Sequence, residues 1–109
     1  MSELMQAHVR AFNHGVDSGD WAPMLARFAD DAELQFVGPP VGPFVGRDAI
    51  AAAYEGQPPD DRIVLLGVQE EGDRKVVAAY AWEKGGTVRL ELEHDRGAVT
   101  RLTVIFDPA

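Results

Sequence analysis

The sequence predicts an α+β domain in which helices pack on one face of a curved, mostly antiparallel sheet. Two patterns carry this. Up to about residue 55, apolar residues recur mainly at three- and four-residue steps, with one alternating stretch between. From about residue 62 they alternate in segments separated by short turn sequences. Helical periodicity first and alternation after is the order of an α+β layout, with helices on one side of the sheet. A chain of 109 residues, 46% hydrophobic and 26% charged, can bury one core, so residues 1–109 read as a single domain without linker or repeat.

Leu4, Ala7, His8, Ala11, Phe12 and Val16 share one face of a first helix. Gly15 weakens its end, and Asp17-Ser18-Gly19-Asp20 is turn chemistry. Asp20 is a good N-cap for a second helix, and Pro23 is tolerated in its first turn. That helix carries Trp21, Met24, Leu25 and Phe28 on its apolar stripe and ends at Asp30-Asp31. Ala32–Val37 alternates as a strand, with Leu34 and Phe36 on one face. Neither a helix nor a central strand accepts Gly38-Pro39-Pro40-Val41-Gly42-Pro43. This stiff loop is either a cavity rim or a rigid spacer. Gly46-Arg47-Asp48 opens a third helix, Ala49 to Glu55. Strands follow at 62–70, 74–83, 87–94 and 99–107. Their separators, Glu71-Gly72-Asp73, Lys84-Gly85-Gly86 and Asp95-Arg96-Gly97, are short enough for antiparallel hairpins.

Eighteen acidic against ten basic residues give a formal charge of −8, which excludes the basic footprint a nucleic-acid binder needs. Without cysteine there is no disulfide, thiolate nucleophile or iron–sulfur cluster. No apolar run reaches the roughly 20 residues of a membrane span, and Met1–Arg10 lacks a leader's basic-then-apolar layout, so a cytoplasmic protein is expected. Neither HxxxH nor HExxH spacing occurs, nor a P-loop, GxGxxG or nucleophile elbow. No metal and no cofactor is therefore expected.

Phe12 through Gly19-Asp20, Phe28-Ala29-Asp30-Asp31-Ala32 and Gly46-Arg47-Asp48-Ala49-Ile50 together resemble the N-terminal half of the nuclear transport factor 2-like superfamily. They are most similar to its bacterial SnoaL-like and ketosteroid-isomerase-like branch. Gly97, then Val99 to Phe106-Asp107-Pro108, resembles the family's last strand. The resemblance implies a cone of three helices over a strongly bent sheet, enclosing a ligand cavity. Because the superfamily hosts isomerases, cyclases, epoxide hydrolases, dehydratases and non-catalytic binders, it leaves the activity open. By the same resemblance, the isomerase's oxyanion tyrosine falls at Phe12, its base aspartate at Phe36 and its protonated acid near Arg89. A further pocket tyrosine falls at Phe28, and only Tyr54 keeps the pattern. Phenylalanine neither donates to an oxyanion nor accepts a proton, so steroid isomerisation by the family mechanism is not expected.

Along 87–94, Thr87, Arg89, Glu91 and Glu93 share one face, and Val88, Leu90, Leu92 and His94 the other. Which set faces inward depends on register, since a one-residue slip exchanges them all. Counting back from Gly97 as the family does puts Arg89 and Glu91 inside, beside Leu102, Val104 and Phe106, and leaves Leu90 and Leu92 for a dimer face. Binary patterning puts Leu90 and Leu92 inside with Tyr80 and Trp82. The family count is preferred. Under it, Glu91 would be a base, Arg89 its electrostatic partner and Tyr54 a donor to substrate oxygen, in cofactor-free acid–base chemistry of cyclase, isomerase or epoxide-hydrolase type. Under patterning, Arg89, Glu91 and Glu93 form a solvated face pairing with neighbours such as Lys75 and Glu83. His8 lies on the apolar side of the first helix, as a core residue or a cavity acid–base; His14 and His94 read as surface or turn residues.

The expected cavity is small and largely aromatic. Phe12, Phe28, Phe36, Tyr54, Tyr80, Trp82, Leu102, Val104 and Phe106 are its candidate ligand-binding residues, suited to a small apolar organic molecule. A homodimer through the sheet is the expected assembly.

Overall fold

The computed structural model describes residues 3–106, with the elements α1 (Glu3–Ser18), α2 (Ala22–Leu25), β1 (Phe28–Val37), β2 (Phe44–Val45), α3 (Arg47–Gly56), β3 (Ile63–Glu70), β4 (Lys75–Trp82), β5 (Thr87–Asp95) and β6 (Ala98–Phe106). Asp107 and Pro108, the expected end of the last strand, lie outside the described residues. The strands form one curved, unclosed sheet in the order β2-β1-β6-β5-β4-β3. Only the β1–β6 pair is parallel. The expected meander is therefore present, and β1 extends it beyond β6.

The second helix is shorter than its apolar stripe suggests. It ends at Leu25, and Phe28 opens β1 rather than closing α2. Tertiary pairing overrides the helical spacing here. The Val99 N–H donates to the Arg27 carbonyl at 2.8 Å, and Phe28 sits in register with Val99. Five residues on, Glu33 pairs with Arg101, so Asp30 and Asp31 lie in a bulge. Asp30 receives the Arg47 guanidinium, which also donates to the Phe28 carbonyl at 3.3 Å. Gly46, at φ 93°, donates its N–H to the Ala32 carbonyl at 2.7 Å. The Asp-Asp and Gly-Arg-Asp signatures are thus two halves of one clasp that fixes α3 against β1.

Trp21, not the expected Asp20, is the N-cap of the second helix; Asp20 stands one residue earlier, and its side chain accepts the Ala22 N–H at 3.1 Å. Asn13, on α1, grips the start of the edge strand β3 from both sides. Its side-chain nitrogen donates to the Ile63 carbonyl at 3.0 Å and its oxygen accepts the Ile63 N–H at 2.9 Å. An exposed edge is closed there by a side chain that imitates a strand.

Sheet register decides what faces inward, because residues directly opposite share a face. Phe36, Val104, Leu90, Ala78 and Val68 form one row across the sheet, and Leu34, Leu102, Leu92 and Val76 another. These rows meet Met5, Phe12, Met24 and Ile50 from the helices in the core. Leu90 and Leu92 are buried and Arg89 is exposed, so the preferred family count is overturned by one residue. The reason lies on the outer face. Glu33, Arg101, Glu93 and Lys75 stand side by side there in alternating charge. Arg101 reaches Glu33 at 3.2 Å and Glu93 at 3.6 Å, while Lys75 reaches Glu91 at 3.3 Å. Each exposed pair contributes only about 0.2–1 kcal/mol, but burying these charges would cost far more. Glu83, the other expected neighbour, pairs instead with Arg62 at 3.4 Å. Leu90 and Leu92, expected to be available to a dimer face, are core residues.

Candidate functional site

A cavity of about 340 Å³ opens between α3, β1 and the loop that follows it. Leu34 and Phe36 form its floor, Val41 and Phe44 one wall, and Ala52, Ala53, Tyr54 and Gly56 the other, with Gln57 and Pro59 at the rim. Local sequence explains each wall. Leu34 and Phe36 alternate inward on β1. The glycine–proline loop turns the chain back so that Phe44 pairs opposite Leu34, making the loop both a spacer and, through Val41, a rim. On α3, Ile50 and Tyr54 are one turn apart and buried, while Ala52 and Ala53 leave space.

Aromatic rings link the two sides of this cavity. From Phe44 the contacts run to Phe36 (6.4 Å), Phe106 (6.4 Å), Trp82 (6.5 Å), Phe12 (6.3 Å), Trp21 (5.7 Å) and Tyr54 (5.0 Å) between ring centroids. Both ends of the chain, Phe44 and Tyr54, line the cavity, so the belt closes on it. Such offset and edge-on pairs hold rings in fixed orientations.

Side-chain polarity in the lining comes from Tyr54 and Gln57. Burial pushes the Tyr54 phenol well above its ordinary value, so it stays a neutral donor. Tyr80 is raised in the same way by burial, with the nearby Tyr54 adding to it. Among the described residues no protein group hydrogen-bonds to either hydroxyl.

Of the residues expected at a site, Phe36 and Tyr54 line the cavity. Phe12, Phe28, Tyr80, Leu102 and Val104 are buried in the core behind it, and Trp82 and Phe106 are half-buried members of the belt. Arg89 and Glu91 do not join them. Arg89 stands opposite Ala79 and Ile105, and Glu91 opposite Val77 and Thr103, both on the outer face. Val41 comes from the loop expected as a rim or spacer, whereas Phe44, Ala52, Ala53, Gly56, Gln57 and Pro59 are lining residues that the sequence did not mark for a cavity. Phe44, the apolar residue directly after the proline loop, was the available signal. Among the described residues no group of His, Asp and Glu side chains gathers closely enough to hold a metal ion.

His8 is a core residue, edge-on to Phe28 at 6.1 Å, with Nδ1 buried and without a hydrogen-bond partner among the described residues. Burial first, and the Arg27 charge second, lower its pKa from 6.5 to about 4. The unfolded chain therefore takes up a proton near pH 6.5 that the folded chain refuses until about pH 4. Stability should be unaffected by His8 above pH 6.5 and should fall by roughly 3 kcal/mol as pH drops through that window. Urea unfolding of the protein and of His8→Leu at pH 7 and 4.5 tests this. The variant should lose markedly less stability on acidification than the parent.

The SnoaL-like domain model matches residues 9–107. The chain belongs to the SnoaL-like family. Solved structures with the same fold include a nuclear transport factor 2-like protein of unknown function from Cytophaga hutchinsonii. It is 21% identical with a TM-score of 0.74, covering 97% of this chain and 88% of that one. A similar protein of unknown function from Burkholderia pseudomallei is 20% identical with a TM-score of 0.74, covering 98% and 92%. A de novo designed protein with a curved β-sheet is 20% identical with a TM-score of 0.69, covering 99% and 89%. At these identities the likeness shows the fold. No curated protein matches the chain. Among the described residues of this SnoaL-like domain, no helix is long and apolar enough to cross a membrane.

Proposed function

We propose that this SnoaL-like domain binds a small, largely apolar organic molecule in the cavity beside α3, with the Tyr54 hydroxyl donating a hydrogen bond to a ligand oxygen. The observation that carries the reading is the Tyr54 phenol, in a buried residue and without a hydrogen-bond partner among the described residues, at an apolar, aromatic-walled cavity. The volume lies near the lower end of the roughly 300–1,000 Å³ of small-molecule sites, which favours a ligand of one or two rings. Catalysis by Glu91 and Arg89 has lost its geometric premise, because both stand on the opposite face of the sheet. Phe12 and Phe36, where the family's isomerases carry a tyrosine and an aspartate, further support binding over proton abstraction.

A matched pair of probes tests this: 1-tetralone, which offers a carbonyl, and tetralin, which does not. The protein should prefer the ketone. Tyr54→Phe should lower ketone affinity roughly tenfold, the worth of one good hydrogen bond at a buried site, and leave tetralin affinity unchanged. Failure to bind either probe, or a ketone preference that survives the substitution, would overturn the reading.

A further inference from the structure

Ten basic side chains serve eighteen carboxylates in this chain, so a cation without a counterion is unexpected. Among the described residues Arg47, Arg62, Arg74, Lys75, Lys84 and Arg101 make ion pairs, whereas Arg10, Arg27, Arg89 and Arg96 make none. Arg10 and Arg27 line the same groove, on the flank of α1 away from the aromatic cavity, together with Glu3, Gln6 and Ala7. Residues 3, 6, 7 and 10 form one stripe of α1, one turn above another. Arg27 comes from the short link between α2 and β1, where its carbonyl is tied to the Val99 N–H. Its backbone is thereby fixed to the sheet. The Arg27 Nε is buried and has no hydrogen-bond partner among the described residues, so only the terminal nitrogens of its guanidinium can serve a ligand in the groove. Glu3 is the one carboxylate lining the groove, and it pairs with neither arginine.

We propose that this groove is an oxyanion site, in which Arg10 and Arg27 together hold a phosphate-class dianion and Gln6 offers an amide donor. A guanidinium presents parallel N–H groups that match the oxygens of phosphate in pairs. Two of them, in a protein whose net charge otherwise repels anions, are matched better by two negative charges than by one. The site is independent of the aromatic cavity, and a phosphate ester or inorganic phosphate would occupy it through the same group.

Titration of the full chain with inorganic phosphate, followed by backbone amide NMR at pH 7.5 and constant ionic strength, tests the site. Acetate serves as the monoanion comparison. Saturable shifts confined to residues around Gln6–Arg10 and Arg27 are expected, with weaker binding of acetate. Arg10→Gln and Arg27→Gln should each weaken phosphate binding roughly tenfold, as loss of a charge-assisted hydrogen bond does. Lys84→Gln, on the opposite hairpin, should change nothing. Shifts that stay linear with phosphate, or saturable binding that both arginine variants leave intact, would overturn the proposal. Should Arg27→Gln fail to fold, the exposed Arg10→Gln decides alone. A glycerol phosphate arm separates the sources: binding equal to inorganic phosphate assigns a phosphate monoester group, and binding of inorganic phosphate alone assigns the free ion.

Discussion

Replacing Gly15 with alanine should destabilise the protein by about 2 kcal/mol or more, the cost of forcing atoms into a packed site. Helix propensity alone predicts the reverse, since alanine in a helix interior is favoured over glycine by about 1 kcal/mol. The conflict comes from Trp21. A Cβ on Gly15 would lie 2.2 Å from its Cε3 and 2.4 Å from its Cζ3. The indole cannot retreat freely, because it is buried, edge-on to Phe12 at 5.7 Å and tilted against Tyr54 at 5.0 Å. Moving it would also disturb Tyr54, so affinity for a carbonyl probe should fall along with stability. Gly56→Ala is the internal control, for it too lies in a helix but with open space where the new methyl would stand. Urea denaturation of the three proteins separates the effects. A Gly15→Ala variant as stable as Gly56→Ala would mean that Trp21 is not seated on α1.

The second large effect concerns β5. Leu92 is 0% exposed and faces Leu102 across the strand pair. Leu92→Ala should cost about 2–5 kcal/mol, through lost transfer energy and the cavity left behind. Glu91→Gln, one residue away, gives up only a partly exposed pair with Lys75 and should cost less than about 1 kcal/mol. A one-residue slip would reverse that ranking, since the glutamate would then be the buried member. Unfolding midpoints of the two variants therefore report the register directly. They also decide whether acid–base chemistry at Glu91 has any place inside this fold.

The sequence carried further at some positions than at others. Alternation along 62–106 was enough to place the four-stranded meander, because hairpins are local and their turns are written in adjacent residues. The Arg96-Gly97 turn is an example: both residues take positive φ, as a two-residue hairpin loop requires. The Asp30-Asp31 and Gly46-Arg47 signatures marked the family, but only the folded chain shows them as a clasp between α3 and β1. Phe28 was misplaced because its helical spacing from Met24 and Leu25 is real. A parallel strand more than 60 residues away captures it, and nothing nearby announces that partner.

By itself, then, the sequence determined the order of helices and strands, the α+β class, the SnoaL-like membership and the participation of Phe36 and Tyr54 in an aromatic interior. Each depends on local periodicity or short motifs, which the chain states in contiguous residues. Tertiary structure alone decided the face of β5 that turns inward, the use of Gly15 as the seat of Trp21 and the grip of Asn13 on Ile63. It alone brought Arg10 and Arg27, which make no ion pair among the described residues, into one groove. Those features join residues distant in sequence, or depend on a pairing register that alternation leaves free by one step. Burial energy settles them only once all the strands and helices are present together.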